Sequence, residues 1–163
     1  MNYKLYKNTF EESFNNIDLK ILNKLIKDLQ STKKKGGRVF CLGVGGSAAN
    51  ASHLVNDLRK LCNIEAYCIS DNVSELTARI NDEGWDSSFS NWLKVSNLNK
   101  KDCLFVLSVG GGNIKKRVSM NIVESLKLGK KRKCKIIGLV GRDGGYTKKV
   151  GDSIVVIKVN KKE

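Results

Sequence analysis

At 163 residues, 40% of them hydrophobic and 28% charged, the chain is long enough for one domain with its own core. Its formal net charge of +14 is carried by lysine clusters at 33–35, 130–133, 148–149 and 161–162. These fall at element ends without interleaved aromatics, so they read as solvated lysines rather than a nucleic-acid surface. No apolar run approaches the ~20 residues of a membrane span, and the start MNYKLYKNTFEESF has no apolar signal-peptide core. The expectation is a soluble, cytoplasmic protein with no nucleic-acid or membrane partner.

Residues 8–32 carry Ile17, Leu19, Ile21, Leu22, Leu25, Ile26 and Leu29 near a 3.6-residue period. Glu11, Glu12 and Asp18 precede most of the lysines, as the helix dipole favours. This predicts one long helix, ended by KKKGG, lying on the sheet and against another subunit. Residues 1–35 then form the N-terminal helix and 36–163 the core of a single domain.

From residue 38 strand and helix alternate. RVFCLG (38–43) reads as a strand, and 47–62 as a helix with Ala51, Leu54, Val55, Leu58 and Leu61 on one face. EAYCIS (65–70) is a second strand, followed by helical stretches near 73–81 and 86–97. DCLFVLS (102–108) is a third strand, apolar throughout, as a strand covered on both faces must be. A helix over 114–129 leads to a fourth strand (134–141), a short turn or helix at GGYTKKV, and a fifth strand (152–159). Cys41, Cys68, Cys103 and Cys134 lie in apolar runs, and Cys62 near a helix end. With no C-x-x-C pair and an odd count, they read as reduced, buried thiols.

This alternation predicts an α/β, three-layer αβα sandwich around a five-stranded parallel sheet. In flavodoxin-like order, 2-1-3-4-5, the first and third strands are neighbours, and ligands bind at the switch point beyond their carboxyl ends. Both of those ends are glycine-rich, GVGGSAAN at 43–50 and SVGGGN at 108–113. Val44, Gly45, Gly46 and Ser47 would form one side of a crevice. Ser108, Val109, Gly110, Gly111, Gly112 and Asn113 would form the other. Glycines let the backbone approach a ligand, and the following helix N-termini favour an anion, so a phosphate is the natural guest. GVGGSA also fits a dinucleotide fingerprint with Asp71 as ribose partner. That reading leaves the second loop without a role and sets Asp71 later than the usual ~20-residue spacing. Glycines serving merely for tight turns are the remaining alternative.

His53, the single histidine, and Asp57 are four apart on one helix face, with Asn50 nearby. Such a pair after an anion loop can hold a metal or move a proton. Residues 81–85, beginning Asn81-Asp82, read as a second polar loop.

GVGGSAANASHLVNDL, SDNVSELTARINDEGW, SVGGGN and IIGLVGRDGGYTKKVGDSIVVI together resemble the sugar isomerase (SIS) domain, most closely its phosphoheptose isomerases, over almost the whole chain. The resemblance implies a homodimer or homotetramer with sites between subunits. It implies a phosphosugar held by Ser108–Asn113, the first loop at Val44–Ser47, and substrate contacts from Asn81 and Asp82. It also implies catalytic His53 and Asp57, which match a zinc-binding histidine and glutamate, so zinc is the implied cofactor and no nucleotide cofactor is expected. The implied reaction converts sedoheptulose 7-phosphate to D-glycero-heptopyranose 7-phosphate through an enediol, for heptose and lipopolysaccharide synthesis.

The sequence departs from the family at Val44 (often asparagine), at Val109 and Gly110 (usually hydroxylated), and at Asp57 (usually glutamate). Family members continue past the last strand into a helix bearing a glutamine and a second histidine, whereas this sequence runs to VNKKE with one histidine. The expectation is therefore a phosphosugar isomerase, with a non-catalytic SIS domain that binds a phosphosugar for sensing or assembly as the alternative.

Overall fold

The computed structural model describes residues 2–158. Helices α1 (Tyr3–Asn15) and α2 (Leu19–Lys34) precede a repeating unit. Its parts are β1 (Val39–Leu42), α3 (Gly46–Lys60), β2 (Ala66–Cys68), α4 (Val73–Glu83), α5 (Trp85–Val95), β3 (Cys103–Ser108), α6 (Met120–Lys131), β4 (Lys135–Gly141), α7 (Gly145–Val150) and β5 (Ser153–Ile157). All five strands are parallel in the order β2-β1-β3-β4-β5, the order expected from the sequence. Among the described residues no helix is long and apolar enough to cross a membrane.

Alternate strand residues feed two cores. Phe40, Leu42, Leu104, Val106 and Ile136 face one side, where Phe89, Trp92 and Leu93 of α5 and Ile122 and Leu126 of α6 cover them. Val39, Cys41, Cys103, Phe105 and Ile137 face the other, beneath Leu25 of α2 and Ala51, Val55 and Leu58 of α3. Burial on both faces is why these strands are continuously apolar. Cys41, Cys68, Cys103 and Cys134 are buried free thiols and Cys62 is exposed.

The expected single N-terminal helix is two. Asp18 takes extended backbone and its carboxylate accepts from the Lys20 and Ile21 amides, starting α2 afresh after the α1 cap at Asn16. The apolar period crosses this break without disturbance, so periodicity alone did not reveal it. Helix α6 begins at Met120 rather than 114, because Asn113 and Val118 pair antiparallel around a tight turn first. Residues 81–83 are the last turn of α4, not a loop; Gly84, at φ 83°, turns the chain directly into α5. The end of the fifth expected strand, at residue 159, lies outside the described residues.

Candidate functional site

In the β1–β3 pairing Leu42 lies opposite Val106. Two residues further along each strand stand Val44 and Ser108, so the two glycine-rich segments leave the sheet side by side at its switch point. Their glycines do different work.

In the first loop Gly43 is fixed by packing, since a Cβ there would lie 2.2 Å from the Ser47 carbonyl oxygen. Gly45 (φ 61°, ψ −129°) turns the chain and caps α3 without a side chain. The Ser47 and Ala48 amides bond back to Val44 and Gly45 at 3.2 and 2.9 Å. A Cβ on Gly45 or Gly46 would meet no protein atom within 4 Å. The space in front of this backbone is open, and it adjoins the positive end of a 15-residue helix.

The second loop is closed upon itself. A Cβ on Gly111 would sit 2.0 Å from the Gly144 oxygen, and one on Gly145 2.2 Å from the Gly110 oxygen. The start of α7 is stitched to the loop by Tyr146 N to Gly112 O and Thr147 N to Gly111 O, both 2.8 Å. The Ser108 hydroxyl accepts from the Gly111 amide at 3.0 Å, and the Asn113 side-chain oxygen accepts from the Lys116 amide at 2.9 Å. Both side chains thus accept from their own loop, while the Ser108 hydroxyl proton and the Asn113 amide NH2 remain as donors. Val109 and Gly110 remain at the loop's outer edge, with Val109 exposed.

Cations that the sequence reading did not single out border this loop. Arg142, directly after β4 and at φ 53°, places Nη1 3.8 Å from where a Gly110 Cβ would stand. Lys115 and Lys149, with Tyr146 and Asn113, line a cavity of about 410 Å³ on the β4 side. The available signal was positional: a basic residue at the carboxyl end of a strand flanking the switch point.

His53 and Asp57 come together on α3, Nε2 to Oδ2 at 3.5 Å, while Asn56 Nδ2 donates to Asp57 at 3.1 Å. Their side chains are 77% and 39% exposed, so the pair faces outward rather than into an enclosed pocket. Zinc sites use three or four protein ligands. These two supply two, and among the described residues no group of three or more potential ligands converges. By themselves they do not make a zinc site. Asn81 and Asp82 are exposed and bonded to each other at 2.7 Å. Asp86, in the first turn of α5, pairs at 2.5 Å with Arg117 of the turn that follows the second loop.

A doubly wound αβα sheet with paired glycine loops at its switch point is the architecture of α/β proteins whose ligand crevice lies beyond the carboxyl ends of the strands. Residues 5–141 match the family model of the SIS domain, and the chain belongs to that family. It is 32% identical over 158 residues to a phosphoheptose isomerase of Nitratiruptor sp., covering 93% of this chain and 80% of that one. It is 31% identical over 146 residues to a probable phosphoheptose isomerase of Thermoplasma volcanium, covering 86% and 71%. The structure of phosphoheptose isomerase GmhA from Neisseria gonorrhoeae matches with a TM-score of 0.80 at 25% identity, over 99% of this chain and 84% of that one.

Proposed function

We propose that the chain is a phosphosugar isomerase, interconverting sedoheptulose 7-phosphate and D-glycero-heptopyranose 7-phosphate for heptose synthesis. The observation that carries this reading is the open backbone at Gly45–Gly46 beside the second loop, about two helical turns before His53 and about three before Asp57 on the same helix. The phosphate is the remote anchor, held by the α3 N-terminus, Ser47 and the Ser108 hydroxyl, with Arg142 as counter-charge. Asp57 takes the C1 proton of the ketose while a donor gives a proton to the C2 carbonyl oxygen, forming the enediol. Return of a proton to C2 and loss of the O1 proton complete the aldose. His53, 3.5 Å from Asp57, orients that carboxylate and shuttles the proton. A zinc ion held by His53 and Asp57 would need at least one further ligand.

The exposure of His53 and Asp57 favours completion of the site by a second copy of the chain, because proton transfer through an enediol needs cover from water. The apolar face of α1 supports such an assembly. Tyr3, Tyr6, Phe10 and Phe14 are exposed along it, beside a cavity of about 380 Å³ that also touches Ile17 and Ile157.

The second reading, a phosphosugar-binding domain without turnover, draws on the inward hydrogen bonds of Ser108 and Asn113. Following sedoheptulose 7-phosphate by NMR with wild-type protein and Asp57→Asn separates the two. Product that disappears in the variant supports the isomerase. Saturable binding with no product in either protein supports the binding domain.

A further inference from the structure

The opposite end of the sheet carries a feature that sugar isomerisation does not use. A cavity of about 410 Å³ opens where β3, β4 and β5 begin and α2 ends. In a parallel sheet this is the amino end, about 20 Å, the length of a six-residue strand, from the switch-point loops. Its rim holds Lys35, Lys100, Lys101, Lys130 and Lys133, with Lys135 deeper.

Three aspartates also line it, and each is already committed. Asp102 is held by Arg38 Nε and Nη2 at 3.2 and 2.8 Å and by the Asn99 amide at 3.0 Å. Asp28 faces Lys24 and Lys135, both at 3.6 Å, and accepts from the Ser153 hydroxyl. Asp152 accepts from the Ile136 amide at 2.8 Å and faces Lys135 at 3.6 Å. The five rim lysines have no carboxylate within ion-pair distance among the described residues. All five line one concavity, and a concave surface lined by one sign of charge concentrates its field inside.

We propose that this cavity is a second anion site, taking a compact multivalent oxyanion such as a di- or triphosphate chain. Lysine ammonium groups are suited to phosphate as mobile point charges, and the volume is that of a small-molecule site. No aromatic side chain lines the cavity, which argues against stacked bases and hence against single-stranded nucleic acid. Because the site lies at the far end of the sheet from the glycine loops, occupancy does not depend on the isomerase reading.

The test is isothermal titration of the protein with inorganic tripolyphosphate, ATP and a short single-stranded oligonucleotide. Tripolyphosphate should bind saturably, one per chain, and weaken steeply between about 50 and 200 mM salt. Lys101→Glu/Lys133→Glu should weaken it about tenfold or more, whereas Lys4→Glu/Lys20→Glu, an equal change in net charge outside the cavity, should not. Lys101→Gln and Lys133→Gln singly should give the same ordering in smaller steps if the double variant folds poorly. Equal affinity for ATP and tripolyphosphate assigns the site to the phosphate chain itself, and tighter ATP to a nucleotide carrying it. Absence of saturable binding, indifference to the cavity lysines, or tighter binding of the oligonucleotide through them overturns the proposal.

Discussion

The Gly111 carbonyl accepts two hydrogen bonds from Thr147, one from its amide and one from its hydroxyl, both at 2.8 Å. Thr147 is fully buried, so this contact fastens α7 to the loop after β3. Thr147→Val keeps the shape and removes the hydroxyl bond. It should cost about 1 kcal/mol in urea unfolding. Gly111→Ala should cost more, about 3 kcal/mol or beyond, because it combines φ 65° with a Cβ 2.0 Å from the Gly144 oxygen.

Gly46→Ala distinguishes a glycine kept for a ligand from one kept for the fold. Its Cβ would meet nothing within 4 Å, and its φ is not positive, so unfolding free energy should change by less than about 1 kcal/mol. Phosphosugar affinity should fall by tenfold or so if the phosphate approaches this backbone, since the methyl would stand between them. Calorimetry on the two proteins checks both numbers. Unchanged affinity would place the phosphate elsewhere.

Much of this fold was legible because the sheet is covered on both sides. Runs such as Cys103–Ser108 could be recognised as strands from apolar continuity alone. The alternation restricted the sheet to a doubly wound arrangement, and flavodoxin-like order within that class sets the two glycine loops side by side, as the structure has them. The break at Asn16–Asp18 was missed because Ile17 and Leu19 keep the helical period through it, although Asp18 is a good N-cap residue. At the site, glycine composition did not distinguish the open turn at Gly45–Gly46 from the packed one at Gly111–Gly112. That difference depends on where Gly144 and Gly145 arrive in space. Arg142 was missed for the same reason: its nearness to Gly110 is a tertiary fact.

The buried thiols should make the protein sensitive to alkali. Burial pushes Cys134 up to about 12 and raises Cys41, Cys68 and Cys103 as well. In the unfolded chain thiols ionise near 9.0, so above that pH the unfolded state releases protons that the native state retains. The stability these thiols hold is fully present below about pH 9 and is lost as the pH rises toward their folded values. Urea midpoints should fall between about pH 9 and pH 12, less steeply in Cys134→Ala than in wild type. In the same native protein a thiol reagent should label Cys62 first, since it alone among the cysteines is exposed.

Asp102 closes the amino end of the sheet. Its carboxylate, 1% exposed, accepts from the Arg38 backbone amide and side chain and from Asn99. Hydrogen bonding to Asp102 in turn holds the Arg38 guanidinium more firmly protonated than usual. Asp102→Ala would strand these donors together, at a cost of about 3 kcal/mol in chemical denaturation. A loss below about 1 kcal/mol would mean that water replaces the carboxylate.

The apolar face of α1 makes a prediction about assembly. Phe10 and Phe14 lie on one face, exposed beside a groove that Tyr6 and Ile17 continue. Rings exposed at this density on one helix form the kind of patch that an interface covers, and the assembly proposed above would use it. Sedimentation of the wild-type protein should give a dimer or tetramer. Phe10→Glu/Phe14→Glu should shift it to monomer with unfolding free energy per chain changed by less than about 1 kcal/mol, because neither ring belongs to either core. Isomerase activity lost in that folded monomer would show that the exposed His53–Asp57 pair is completed across the interface. Activity retained in the monomer would show that one chain suffices.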